Sequence, residues 1–272
     1  MKSKSFCWFM CGVLFGLLVC SSVVATAGAP DGSLTAVSGH QASKSKAELY
    51  TKGGLSTYVK IDGKAILFDI GGDAASLLSN LEKSGLDPAL IEAIVFSHNQ
   101  SDRIFGMTDL LNATEEKPKV FALPTLATAL MEANADALVV AVSKPTRILP
   151  DTWIVGPIEL EIECDTVYEQ ALVLDQPDGL IVIVGCSHPA VVSVVQQVKE
   201  VFGHRRIQLV AGAVHLQKIP KDEIREISLK LQQKGVQSLA LSNCTGEPAM
   251  KIFRQEWGDN LLTFDAGDTL RF

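Results

Sequence analysis

Ser97-His98-Asn99-Gln100-Ser101-Asp102-Arg103 stands between two apolar runs, residues 91–96 before it and 104–111 after it. A short continuous apolar run reads as a buried strand. That strand ends in a cluster of imidazole, amide, carboxylate and guanidinium groups. The cluster reads as a metal loop short of some of its ligands.

Outward from this stretch, strands and helices alternate. Upstream, 55–61 reads as a strand, Asp62-Gly63 as a hairpin turn and 65–70 as the return strand. Residues 74–84 have helical spacing, and Gly85 stops them as a left-handed cap. Downstream, 104–111 opens a helix, 120–123 is a strand, and Pro124 can begin a helix over 125–133. A strand-rich stretch follows, with strands at 138–142, 152–155, 158–162 and 171–174. Asp178-Gly179 is a second hairpin signal, leading into a strand at 180–184. The rest alternates: helix 190–202, strand 207–210, helix 220–233, strand 238–241, helix 247–257, then strands at 261–264 and 269–272. The chain thus runs strand-rich then alternating, twice over, which suits two stacked halves.

The polar residues fall at one kind of place. Four apolar strand runs end in ligand-type side chains: 91–96 at His98, 180–184 at His188, 207–214 at His215 and 238–241 at Asn243. In open α/β sheets, sites form beyond the carboxyl ends of strands, where loops converge over an apolar core. Three of the five histidines occupy such ends, whereas His40 and His204 (beside Arg205 and Arg206) read as surface residues. One such histidine alone is more simply satisfied by local hydrogen bonds. Three together point to a shared cavity.

At 272 residues the chain has ample length for a core, and its composition, 47% hydrophobic and 20% charged, is that of a globular protein. The formal charge of −7 argues against nonspecific nucleic-acid binding. Lys2 and Lys4 precede an apolar stretch, 6–24, that ends in Ala25-Thr26-Ala27. This is the pattern of a signal peptide over 1–27, cut after Ala27, which makes the protein periplasmic or secreted with no stable membrane insertion afterwards. A retained anchor and lipidation at Cys20 are the rival readings. Cleavage leaves Cys164, Cys186 and Cys244, too few thiols for a disulfide scaffold. Residues 28–45, rich in Gly, Ser and Ala, read as a flexible lead-in, and the domain proper as 47–272.

In order, Leu67-Phe68-Asp69-Ile70-Gly71, the 97–103 stretch, Gly185-Cys186-Ser187-His188-Pro189, Gly212-Ala213-Val214-His215-Leu216 and Asn243-Cys244-Thr245-Gly246 resemble the metallo-β-lactamase-fold superfamily. Within it they resemble the subgroup of dihydropterin–ribofuranosylaminobenzene phosphate synthase-like proteins. The resemblance covers residues 47–272 and implies an α/β fold, the αββα four-layer sandwich. It also implies a centre of zinc or another divalent metal. The family's first metal loop reads His-x-His-x-Asp-His, and a later one reads His-Cys-Thr-Gly. Here His98 and Asp102 match, as do His188 and His215 in their own motifs. Gln100 and Arg103 stand in place of two histidines, and Asn243 in place of the last. Asp69 resembles the family's structural aspartate, which braces the metal loop; a plain turn aspartate is the alternative. Cys186 and Cys244 read as buried small hydrophobes.

An amide oxygen is a far poorer zinc ligand than imidazole, and a guanidinium cannot ligate at all. The substitutions therefore reduce the expected complement to one metal per chain or none. Two functions follow. The first is a hydrolase-like protein with an eroded two-metal site, its catalysis altered or lost, in which Arg103 holds a small anionic molecule. The second is a mononuclear metal-dependent hydrolase of a small phosphorylated or ester substrate. It would use His98, His188 and His215 as ligands and Asp102 as the orienting base.

Overall fold

The computed structural model describes residues 32–51, 53–100, 104, 106–114, 116–162, 165–187, 191–242 and 245–272. The first half runs β1 (Ser33–Ser38), β2 (Ser56–Ile61), β3 (Lys64–Phe68), α1 (Ala74–Lys83), β4 (Ile91–Val95), α2 (Met107–Ala113), β5 (Lys119–Ala122), α3 (Pro124–Ala133) and β6 (Val139–Ala141). The second runs β7 (Thr146–Leu149), β8 (Thr152–Ile162), β9 (Asp165–Gln176), β10 (Gly179–Ser187), α4 (Val191–Phe202), β11 (Ile207–Val214), α5 (Lys221–Gln233), β12 (Val236–Leu241), α6 (Glu247–Trp257) and β13 (Leu261–Thr263). A last strand, β14 (Thr269–Arg271), returns to the first half. The strands form two seven-stranded sheets, ordered β14-β1-β2-β3-β4-β5-β6 and β13-β12-β11-β10-β9-β8-β7.

Period-two alternation sorts the side chains into three apolar layers. In β3, Ile66 and Phe68 face the second sheet, joining Leu172, Leu174, Ile181 and Ile183. Ala65 and Leu67 face outward and meet Leu77 and Leu81 of α1 and Leu126 of α3. In β10, Leu180, Val182 and Val184 face outward onto Val194 and Val198 of α4 and Phe253 of α6. Strands buried on both faces are continuous apolar runs, which is why 91–96 and 180–184 read so plainly. The result is the αββα four-layer sandwich the resemblance implies.

Local chemistry fixes the ends of elements. Asp73 caps α1, its side chain accepting from the Ser76 N–H at 2.9 Å. Gly85, at φ +68°, closes α1 in a Schellman arrangement: the Leu86 N–H reaches the Leu81 carbonyl at 2.9 Å and the Gly85 N–H that of Glu82 at 2.9 Å. Strands β3 to β6 are parallel neighbours, as are β10 to β13. Their carboxyl ends converge on one end of the sandwich, where the candidate site lies.

Two expectations fail. Part of the expected flexible lead-in, 28–45, is instead β1, buried at all six positions between β14 and β2. Its Leu34 and Ala36 join the inter-sheet layer and Val37 the helix-side layer, while Thr35 Oγ1 lies 3.0 Å from Thr269 Oγ1. Serine and threonine hide a strand whose partners come from elsewhere in the chain. The strands expected at 152–155 and 158–162 are one, β8, with a register break between Val155 and Ile158 at Gly156-Pro157. Proline has no N–H to give the ladder, so a bulge interrupts the strand without ending it. The expected signal peptide, 1–27, lies outside the described residues. Among the described residues no helix is long and apolar enough to cross a membrane.

Candidate functional site

The site grows from a residue in an unusual backbone conformation. Asp69 follows β3 at φ +61°, a left-handed conformation that few side chains tolerate and that aspartate tolerates better than most. Its peptide N–H donates to the Val95 carbonyl at 2.9 Å, and its own carbonyl accepts from Ser56 Oγ at 2.7 Å. So held, the fully buried carboxylate turns under the end of β4. There it accepts from the Ser97 N–H at 2.8 Å and from Ser97 Oγ at 2.6 Å.

Ser97 carries the chain onward. Its Oγ lies 2.7 Å from His98 Nδ1, and on the other side of the ring His98 Nε2 lies 2.6 Å from Gln100 Oε1. The Gln100 N–H donates to the His98 carbonyl at 3.2 Å, curling the loop back on itself. His98 is buried, whereas Gln100 is exposed at the loop surface. One line of polar atoms thus runs from a buried carboxylate to the protein surface.

The second sheet grips the same serine. The Gln170 N–H donates to the Ser97 carbonyl at 2.8 Å, and Gln170 Nε2 donates to the Phe96 carbonyl at 2.7 Å. On the adjoining strand, register shifts between Val184 and Cys186, and Gly185 sits at that irregularity. A Cβ at Gly185 would lie 2.1 Å from Ser97 Oγ and 2.7 Å from Asp69 Oδ2, so only glycine lets β10 pass this close. The next residue, buried Cys186, places Sγ 3.6 Å from His215 Nδ1. The His215 N–H donates to the Ser187 carbonyl at 3.0 Å, and Leu216 N–H to the Thr245 carbonyl at 3.2 Å.

The structure therefore brings together Asp69, His98, Gln100 and His215, with Ser97, Gly185 and Cys186 forming the contact path between them. Asp102, Arg103, His188 and Asn243, as well as Cys164 and Cys244, lie outside the described residues. His40 and His204 are exposed, as expected. Sequence reasoning singled out neither Ser97, Gln170 nor Gly185 for a role. Ser97 and Gly185 stand beside His98 and Cys186 in the sequence, and that adjacency was the usable signal. Nothing in the local sequence marks Gln170.

Among the described residues no three His, Cys, Asp or Glu side chains gather as a metal site. The donor set decides the fit of the two-metal centre that the sequence resemblance implies. His98 Nε2, the ring nitrogen turned away from Ser97, is spent on the Gln100 side-chain amide at 2.6 Å. Ligands near 2.1 Å from one tetrahedral zinc stand about 3.4 Å apart. With amides at 100 and 243 and a guanidinium at 103, a two-metal centre does not fit these residues.

No family model matches the sequence. A curated relative, the 7,8-dihydropterin-6-methyl-4-(beta-D-ribofuranosyl)-aminobenzene-5'-phosphate synthase of Methanocaldococcus jannaschii, is 23% identical over 82% of this chain and 91% of that protein. Among solved structures, Tm1679, a metal-dependent hydrolase of the beta-lactamase superfamily, superposes with TM-score 0.72 at 23% identity, covering 89% of this chain and 99% of that one. The metallo-beta-lactamase fold protein YhfI of Bacillus subtilis gives TM-score 0.61 at 13% identity over 88% and 99%. Igni18, a metallo hydrolase of Ignicoccus hospitalis, gives 0.58 at 13% over 89% and 98%. With its paired seven-stranded sheets between helical layers, the chain has the metallo-β-lactamase fold.

Proposed function

We propose that this chain is a hydrolase-like protein whose two-metal centre has eroded, with catalysis altered or lost, and that it binds a small anionic molecule. The observation that supports the reading is the contact of His98 Nε2 with the Gln100 side-chain amide at 2.6 Å, which occupies the nitrogen through which His98 would ligate. Arg103, in place of a metal-binding histidine, supplies a fixed positive charge suited to a carboxylate or phosphate. The pattern at 1–27 supports export, with cleavage after Ala27.

Elemental analysis of the purified chain and thermal shift with inorganic phosphate test this. The expected result is less than stoichiometric zinc, iron or manganese, and a phosphate-induced rise in Tm that Arg103→Ala abolishes. An unchanged rise in that variant removes Arg103 from the account.

One observation favours the mononuclear hydrolase as a second reading. Nδ1 of His98 lies against Ser97 Oγ and Nδ1 of His215 against Cys186 Sγ, an arrangement in which Nε2 is the metal-facing nitrogen; in His98 a metal would have to displace the Gln100 amide from it. Such orienting partners accompany metal-binding histidines. About one metal per chain, lost in His98→Ala, would establish that reading and end the first.

A further inference from the structure

The polar line through His98 has a direction, and the direction identifies which end of the Gln100 amide faces the ring. Asp69, as a carboxylate, only accepts, so the single Ser97 hydroxyl proton goes to Asp69 Oδ2 at 2.6 Å. Ser97 Oγ then meets His98 Nδ1, 2.7 Å away, with a lone pair, and Nδ1 must carry its proton toward it. In a neutral imidazole the other nitrogen is then an acceptor. Nε2 lies 2.6 Å from Gln100 Oε1, so an acceptor would face an acceptor. Carbonyl and amino ends of an amide have the same shape, and only the hydrogen-bond network distinguishes them.

We propose that the Gln100 side chain is turned so that its amino group donates to His98 Nε2, and that this amide cap replaces a metal ion on that lone pair. Each contact along Asp69–Ser97–His98–Gln100 then pairs a donor with an acceptor, with no cation between them. Gln100 is a positioning residue: it fixes the ring and closes the nitrogen through which His98 would ligate. The inference rests on the eroded-site reading, and it assigns that erosion to one side chain. Because Gln100 is exposed, the cap can be removed without disturbing the core.

Long-range nitrogen–proton NMR on the metal-free full chain, with His98 assigned by the signal lost in His98→Asn, reads the protonated nitrogen directly. The expected result is a proton on Nδ1 and none on Nε2; a proton on Nε2 overturns the proposal. Removing Gln100 should then shift the Nε2 resonance, while Gln100→Ala leaves the Tm nearly unchanged. An unmoved Nε2 resonance also overturns it. Zinc titration into both proteins supplies the opposing sign. Removal of a competing cap leaves zinc affinity equal or higher, whereas removal of a ligand lowers it by about tenfold or more. Stoichiometric metal in the purified chain would sink the eroded-site reading and the cap with it. A proton on Nε2 in a metal-free chain would sink the cap alone.

Discussion

Replacing Gly185 by alanine tests the idea that the two sheets meet on a single serine. The added Cβ would sit 2.1 Å from Ser97 Oγ and 2.6 Å from Ser97 Cβ, more than an ångström inside ordinary contact. Ser97 has little room to yield, because its N–H, hydroxyl and carbonyl are all committed. Swinging the hydroxyl away breaks its bond to the Asp69 carboxylate, worth about 1.5–3 kcal/mol, and its neutral bond to His98, worth about 1 kcal/mol. Moving β10 instead costs about 1–3 kcal/mol of overpacking strain and draws Cys186 from His215. The first route predicts a loss of about 2.5–4 kcal/mol and the second about 1–3 kcal/mol, a large share of the ~5–15 kcal/mol typical of a folded protein. Urea unfolding of Gly185→Ala measures it. A cycle with Ser97→Gly isolates the contact, since removing the serine side chain should return at least about 1 kcal/mol. A loss below about 1 kcal/mol, or simple additivity in the double variant, would refute the reasoning.

Asp69→Asn should reverse the polar line, because the asparagine amino group would donate to Ser97 Oγ and turn the serine hydroxyl to donate to an unprotonated His98 Nδ1. His98 would then carry its proton on Nε2, and an NMR spectrum identical to that of the unaltered chain would count against the network. Asp73 caps α1, and hydrogen bonds from the Ser76 N–H and hydroxyl hold its carboxyl below the usual aspartate range. Asp73→Ala should cost about 1 kcal/mol in denaturant unfolding, against no change if the cap is idle. The buried Tyr58 donates its hydroxyl to the Asp87 carbonyl, and burial, aided by the Asp87 charge, pushes its pKa up to about 12. Folding thus favours the protonated phenol. The contribution is complete below pH ~10, the unfolded value, and about 2–3 kcal/mol is lost as pH rises through 12. Tyr58→Phe should flatten that alkaline decline, and an equally steep decline in the variant would discount Tyr58.

The fold was legible because its central strands carry two buried faces. Runs such as 91–96 and 207–214 announce themselves without any partner in view, and their ends mark where His98 and His215 emerge. What escaped notice depends on pairing across the chain. β1 is half serine and threonine, and only β2 and β14 turn it into core. The bulge at Gly156-Pro157 reads as two strands, because the single ladder that spans it belongs to β9. At the site, residue types identified which positions hold amides in place of imidazoles. They could not show that Gln100 turns back onto His98, since that contact depends on loop curvature. Gln170 was invisible for a similar reason. Its partners, Phe96 and Ser97, lie in the other sheet, and no spacing rule connects them.

The pairing of β1 with β14 also sets an order of events in folding. Thr35 and Thr269 meet across a separation of 234 residues, so their strand contact closes a loop containing both sheets' remaining strands. Contacts of such separation form late, after the loop has been shortened by structure within it. Until β14 arrives, one edge of β1 presents open backbone N–H and carbonyl groups to any other chain nearby. The final three-residue strand therefore protects the protein from associating with itself while it folds.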